Sequence, residues 1–372
     1  MRSLGLYVHI PFCRSKCIYC DFYSLPHREA EMDAYCDKMR EAITHWGAHA
    51  KEYTVDTVYF GGGTPSCLGA ARLTELLRAV FAHFSVAPDA EITLEANPDS
   101  ARDTEALRAL RSAGFNRISL GMQSANDAEL RRIGRIHTHA DTVCAVQAAR
   151  AAGFDNISLD LIYGLPGQSM DGWLQNLRAA LELAPEHLSC YGLKVEEGTP
   201  LFATQSALAL PDDDAQADQY LAAVELLAKA GYGQYEISNF CRGGYASRHN
   251  SRYWALAEYI GLGPGAHSDF GGERFAYARD LDSWLRGEEI FSEKAAISDR
   301  ERLEERVMLA LRTVRGLDLA ALPTDTAKAE QALSRFAQMG LAEQDGGRWH
   351  LTPRGFLLSN RIIIDVLDAL PL

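Results

Sequence analysis

Ala113-Gly114-Phe115-Asn116-Arg117-Ile118-Ser119-Leu120 recurs as Ala152-Gly153-Phe154-Asp155-Asn156-Ile157-Ser158-Leu159, and more loosely as Ala230-Gly231-Tyr232-Gly233-Gln234-Tyr235-Glu236-Ile237-Ser238. Each copy reads as a helix end followed by a strand. The glycine supplies the left-handed conformation that stops a helix, and the apolar run behind it is short enough for a buried parallel strand. Repeated helix-to-strand joints mean βα units.

Outward from these joints, strands are expected near Leu6–Ile10, Val55–Phe60, Ile92–Glu95, Arg117–Leu120, Ile157–Ile162 and His187–Tyr191. Stretches of helical period such as Leu73–Phe84 and Thr104–Ala113 separate them. A closed eight-stranded barrel needs two more units, and a doubly wound dinucleotide fold needs G-x-G-x-x-G after its first strand. Neither is present. An α/β fold with an open parallel sheet remains, and in such folds ligands sit at the carboxyl ends of the strands.

Those ends are rich in chemistry. The second expected strand runs into Gly61-Gly62-Gly63-Thr64-Pro65, where missing side chains would let backbone N–H groups approach a ligand. The alternative is a tight turn. No G-K-[ST] follows, so this is not a nucleotide P-loop. Glu95 ends the third strand, Gln123 follows the fourth and Asp160 lies in the fifth. Singly, Asn97 or Asp99 reads as a helix cap, Gln123 as a turn residue and Asp160 as an acceptor for nearby N–H groups. Together they read as one site. Carboxylates suit hydroxyls and ammonium groups, while Arg135 suits a carboxylate.

Cys13, Cys17 and Cys20 form a C-x3-C-x2-C array in CRSKCIYC. A cubane cluster that only moves electrons takes four thiolates, so three leave one iron open. Zinc is the competing reading, with His9 or Cys36 as fourth ligand, though neither completes a familiar zinc spacing. The array resembles the signature of radical S-adenosylmethionine (SAM) enzymes, whose open iron chelates SAM. On that resemblance the six units imply a partial (β/α)6 barrel.

The chain has 372 residues and a net charge of −13. That length suits one large domain with an appendage, and the charge disfavours a nucleic-acid partner. No apolar stretch approaches the roughly eighteen residues of a membrane span, and the amino terminus does not read as a signal peptide. A soluble cytoplasmic protein is expected. Cys36, Cys67, Cys144, Cys190 and Cys241 read as small buried hydrophobes and not as a disulfide framework.

YVHIPFC, CIYCDFYS, YFGGGTPS, ISLGMQS, IGRIH, SLDLIYGLPGQ, EEGTPL, YEISNF, HNSRYW and GLGPGAHS, spread from Tyr7 to Ser268, resemble the oxygen-independent coproporphyrinogen dehydrogenase family and its HemW branch. The resemblance implies a [4Fe–4S] cluster on Cys13, Cys17 and Cys20. It also implies a SAM site lined by Tyr7, Gly63, Thr64, Glu95, Gln123, Arg135 and Asp160, with Gly62 and Tyr19 as weaker members. The dehydrogenases carry a fourth cysteine where this chain has Phe22, and a longer segment ahead of the array than the twelve residues here. Both departures match the HemW branch, which is understood to consist of haem chaperones.

A haem carrier finds further support in His249-Asn250-Ser251-Arg252-Tyr253-Trp254, which groups an imidazole, a propionate partner and two flat rings. A packed core histidine is the bland alternative. His267 is a second candidate that reads first as structural, and Arg248 and Arg252 read equally as surface charges.

The expected organisation is a core over residues 1–238, a connecting segment with the haem motif over 239–290, and a winged-helix-like domain over 291–372. The last has helices Asp299–Thr313 and Thr326–Met339, a hairpin around Gly346-Gly347 and a final helix from Pro353. With 12 Asp plus Glu against 11 Lys plus Arg, it has no basic footprint and reads as a docking or lid module.

The expected function is therefore a chaperone that binds a [4Fe–4S] cluster, SAM and haem, and passes haem to acceptors such as membrane-associated respiratory enzymes. The alternatives are a coproporphyrinogen dehydrogenase, another radical SAM enzyme, or a zinc-stabilised interaction protein.

Overall fold

Strands buried on both faces are rich in apolar residues, and the six runs read above are the six central strands. The computed structural model describes residues 2–288 and 290–371. Its central strands are β1 (Arg2–Ile10), β2 (Tyr53–Gly62), β3 (Val86–Ala96), β4 (Arg117–Gln123), β5 (Ile157–Tyr163) and β6 (His187–Gly192). Each is parallel to the next in chain order. The crossovers include α1 (Met32–His49), α2 (Ala70–His83), α3 (Thr104–Ala113), α4 (His139–Ala151) and α5 (Met170–Glu182). The fold is the expected α/β barrel-like sheet.

Alternation along the strands sorts core from site. Leu6, Val8 and Ile10 of β1 are fully buried in a core shared with Met39 and Ile43 of α1 and Leu76, Leu77 and Val80 of α2. Tyr7 and His9 alternate with them and face the other side, where the chemistry lies.

The two close copies of the Ala-Gly joint behave as read. Gly114 (φ 126°) and Gly153 (φ 93°) terminate α3 and α4 ahead of β4 and β5. The third copy does not yield a parallel strand. After α6 (Asp213–Lys229) come only β7 (Gly233–Gln234) and β8 (Asn239–Cys241), and β8 pairs antiparallel with β6.

Residues 239–290 also build sheet, where the sequence suggested a connector. β9 (Tyr259–Leu262) pairs parallel with the free edge of β1, and β10 (His267–Phe270), β11 (Glu273–Tyr277) and β12 (Phe291–Ala296) continue antiparallel from it. The sheet order is β12-β11-β10-β9-β1-β2-β3-β4-β5-β6-β8-β7.

The carboxyl-terminal part has helices Asp299–Ala310 and Ala327–Gln338, then a hairpin of Ala342–Asp345 with Arg348–Leu351. Left-handed Gly346 and Gly347 close that hairpin, as a two-residue turn of its twist requires. The expected last helix is two, Pro353–Leu357 and Ser359–Asp368. Val307, Leu333, Ile362 and Val366 form its core together with Tyr220 of α6, which fastens it to the barrel. Among the described residues no helix is long and apolar enough to cross a membrane.

Candidate functional site

The cysteine loop leaves the sheet after β1 and is pinned at both ends. Phe12–Cys13 pairs with Leu25–Pro26, and the N–H of Ile18 donates to the Ile133 carbonyl at 3.2 Å. Cys13 Sγ lies 3.2 Å from Thr64 Oγ1, and Cys20 Sγ 3.9 Å from Ser24 Oγ. The Cys20 N–H closes a turn onto the Cys17 carbonyl at 3.2 Å. Burial pushes the Cys13 and Cys17 thiols up, so their thiolates would need a positively charged metal centre to become favourable.

Among the described residues no three His, Cys, Asp or Glu side chains stand together as they would around a single ion. Neither residue weighed as a fourth zinc ligand is poised for it. His9 uses Nδ1 on the Tyr7 hydroxyl and Nε2 on the Tyr23 carbonyl, both at 3.0 Å, and Cys36 is buried on α1 beside Arg72 and Asp33. Cys67, half-buried against the core in line with its reading as a packed residue, also lies near enough to Cys13 for two thiolates to repel. Burial first, and then that repulsion, pushes its thiol up to about 12.

The glycine run serves a different purpose from the expected one. Its backbone donors face the protein: Gly62 N–H bonds Glu95 Oε2 at 3.1 Å, Gly63 N–H the Ile10 carbonyl at 2.8 Å and Thr64 N–H the Phe12 carbonyl at 2.8 Å. A Cβ on Gly63 would stand 2.8 Å from two of those carbonyl oxygens, and one on Gly62 would stand 2.5 Å from the His9 ring. The glycines let the cysteine loop lie directly on the end of β2.

At the strand ends the polar side chains converge. Glu95 accepts from the Tyr59 hydroxyl at 2.6 Å, and Asp160 accepts from Ser119 Oγ at 3.2 and 3.3 Å. Burial pushes Glu95 up to about 7, with Asp160 adding to the rise and the Tyr59 bond opposing it; burial likewise raises Asp160. Gln123 follows a register shift after Leu120 and takes a left-handed φ of 61°. Such a bulge re-aims a side chain at a rim, and backbone strain of this kind gathers at ligand sites.

Arg135 joins the cysteine loop to the sheet. Its Nη2 donates to the Tyr19 hydroxyl at 2.8 Å and its Nη1 to Asn97 Oδ1 at 2.7 Å, while Asn97 Nδ2 donates to Thr64 Oγ1 at 3.2 Å. Asn97 is thus a bridge and no mere cap. Arg117 is the residue the sequence reading missed. It is 1 % exposed, and its Nε and Nη1 have no hydrogen-bond partner among the described residues. Its strand reads as plain core, and only a cation inside an otherwise apolar parallel run could have flagged it.

His249 lies in the barrel interior and not at a rim. Its ring stacks on Tyr59 at 5.1 Å, its Nδ1 bonds Thr57 Oγ1 at 2.9 Å and its Nε2 bonds the Tyr253 hydroxyl at 2.7 Å. Burial, with Arg252 and Arg117, lowers it to about 3 and keeps it neutral. Glu91 caps the short helix that carries it, accepting from the N–H groups of Arg248 and His249 at 3.0 Å. Arg252 is spent on Asp56 and on the Glu258 carbonyl. In this structure both ring nitrogens of His249 and the Arg252 guanidinium are engaged by protein groups. Tyr7 completes the cluster, its ring 6.2 Å from Tyr59 and 6.4 Å from His249.

This donor set fits the groups the sequence suggested. Three thiols on one pinned loop suit a cluster with an open iron. Two carboxyls and Arg135 suit a ligand carrying both ammonium and carboxylate.

Residues 7–180 match the Radical SAM superfamily, and residues 297–358 match the HemN C-terminal domain. Heme chaperone HemW of Mycobacterium tuberculosis is 38% identical over 377 residues, covering 98% of this chain and 95% of the relative. Heme chaperone HemW of Escherichia coli is 42% identical over 268 residues, covering 72% and 70%. The solved structure of coproporphyrinogen III oxidase (HemN) from Escherichia coli, a radical SAM enzyme, superposes with a TM-score of 0.85 at 25% identity, covering 98% of this chain and 90% of that one.

Proposed function

The chain belongs to the HemW family of radical SAM proteins, and from that premise we propose that it is a haem chaperone. It binds one [4Fe–4S] cluster, SAM and haem, and hands haem to acceptor proteins such as respiratory enzymes. The observation that carries this reading is the end-to-end match, at 38% identity, to a relative named for haem chaperoning. Phe22 points the same way, since a fourth thiol would be needed there to complete the array of the porphyrinogen-oxidising branch.

In this reading Cys13, Cys17 and Cys20 hold the cluster. Glu95 and Asp160 meet the cationic parts of SAM, Arg135 its carboxylate, and Tyr7, Tyr19, Gly62, Gly63, Thr64 and Gln123 shape the wall. The cluster and SAM, when bound, supply one-electron reductive chemistry. The protein's own part is orientation and exclusion of water. Glu95, raised toward neutrality by burial, ionises when a cation arrives beside it, so ligand entry releases a proton from this side chain.

The likeness to the HemN structure keeps one second reading in view, oxidative decarboxylation of coproporphyrinogen. Anaerobically reconstituted protein decides between them. The chaperone reading expects bound iron and sulfide, a change in the cluster's electron paramagnetic resonance on adding SAM, stoichiometric haem uptake, and transfer of that haem to a haem-depleted cytochrome. Protoporphyrinogen formed from coproporphyrinogen, SAM and reductant overturns it, as does zinc in place of iron. We also propose a cytoplasmic location, which suits thiols that must stay reduced and is checked by cell fractionation.

A further inference from the structure

We propose that Tyr253 is a latch over the haem ligand: its hydroxyl covers Nε2 of His249 and must swing into an open aromatic cavity before iron can bind. The proposal rests on the chaperone reading with His249 of HNSRYW as the iron ligand, and adds to it the route by which the cargo enters.

The imidazole has no freedom to turn. Its Nδ1 is bonded to Thr57 Oγ1 at 2.9 Å, and its ring stacks on Tyr59 at 5.1 Å with Tyr7 6.4 Å away. The tautomer in which Nδ1–H donates to Thr57 leaves the Nε2 lone pair for a metal. The Tyr253 hydroxyl, which burial keeps protonated, donates to that same lone pair at 2.7 Å. Iron and phenol therefore compete for one atom.

Tyr253 can move where the imidazole cannot. It lies four residues beyond His249 on the short helix Arg248–Trp254, and the two rings meet edge to face at 5.1 Å. Its other side lines a cavity of about 310 Å³ together with Tyr7, Phe22, Tyr23 and Tyr259. That is the lower end of the range of ~300–1,000 Å³ for ligand pockets. A change of rotamer carries the phenol off Nε2 into this space, on the side of Tyr259, whose ring it already meets edge to face at 4.6 Å. Phe22 is 69% exposed at the rim, an apolar ring for the porphyrin to meet first. Cavity and motif form one route: the flat ring docks on the aromatic wall, Tyr253 gives way, and iron reaches Nε2. On release the hydroxyl returns to the lone pair and displaces the iron, as suits a carrier that must let go of its load.

The test is stopped-flow haem uptake by full-length, cluster-loaded protein, with the bound iron read by absorption and electron paramagnetic resonance. Tyr253→Phe keeps the ring and removes the latch. It should take up haem several-fold faster and hold it up to about tenfold more tightly, the size of one hydrogen bond that no longer has to break, with the imidazole signature of wild type unchanged. Thr57→Val frees the ring from its other side and should do the reverse, binding several-fold more weakly because Nδ1 loses the partner that fixes the tautomer. Circular dichroism matching wild type establishes that the variants fold, and Tyr253→Leu repeats the measurement if Tyr253→Phe misfolds. Uptake at the wild-type rate in folded Tyr253→Phe overturns the latch. So does loss of its imidazole signature, or an equal quickening in Thr57→Val, which would mean a general loosening. A folded His249→Gln that keeps the signature sinks the ligand assignment beneath the proposal, and wild-type protein that takes up no haem at all sinks the chaperone reading itself.

Discussion

Arg135 holds Tyr19 by two donors, Nη2 at 2.8 Å and Nε at 3.3 Å from its hydroxyl, across 116 positions of sequence. Tyr19 sits between Cys17 and Cys20, so the residue that sets the loop's position is itself anchored by a guanidinium already bonded to Asn97 at the end of β3. The cysteine loop and the proposed SAM wall are thus one hydrogen-bonded unit. A ligand that draws Arg135 toward its carboxylate must pull on the loop that carries the thiols.

Tyr19→Phe removes the hydroxyl and keeps the ring over which the guanidinium lies, 6.0 Å from its centroid. Iron and sulfide content should stay at the wild-type level, because Ile18, Cys20 and Leu25 still pin the loop through backbone bonds. SAM affinity should fall roughly tenfold, the size of one hydrogen bond to a charged group. Isothermal calorimetry on reconstituted protein reads the affinity, and an unchanged value would mean that Arg135 needs no anchor.

Cys67 tests whether the array is of three thiolates or four. Its nearness to Cys13 makes it the one further thiol with a plausible path to the cluster. If the open-iron reading is right, Cys67→Ala retains full iron and sulfide and the same SAM-induced spectral change, whereas Cys17→Ala loses the cluster. Loss of iron in Cys67→Ala would assign that thiol to the closed corner.

The strands were legible as short apolar-rich runs behind helix-ending glycines, Glu95 because it interrupts such a run at its carboxyl end and Asp160 because it stands inside one. What stayed hidden depended on distant partners. HNSRYW has the composition of a ligand motif, yet what decides His249 is Thr57, 192 positions away, and the Tyr253 hydroxyl. β9 was missed because GLGPGAH reads as turn, its glycines serving close packing instead: a Cβ on Gly261 would lie 2.1 Å from the His267 carbonyl oxygen. Asn97 looked like a cap because its true partners, Thr64 and Arg135, come from two other loops.

Buried imidazoles and buried carboxyls impose opposite slopes on stability. Burial lowers His9 and His137 to about 4 and His249 to about 3, and lowers His187 as well. Their contribution is present above the unfolded value of about 6.5 and is lost as the pH falls, because only the unfolded chain takes up those protons. Burial raises Glu95 and Glu236 to about 7. Their contribution is present below the unfolded value of about 4.3 and is lost as the pH rises through 7. The metal-free protein should therefore be most stable near about pH 6.5. Calorimetric Tm against pH checks it, and Glu95→Gln with Glu236→Gln should steepen the rise between about pH 4.3 and 6.5 and remove the fall from there to about 7.

Arg117→Met tests the charge balance inside the barrel. The guanidinium is buried, yet Glu91 and Asp160 keep it charged. Removing it leaves those carboxylates without their counter-charge, and breaking a buried pairing in this way costs about 3–5 kcal/mol. Tm of the metal-free variant should therefore fall by several degrees, read by calorimetry. A variant as stable as wild type would show that the guanidinium is no counter-charge for Asp160 and Glu91.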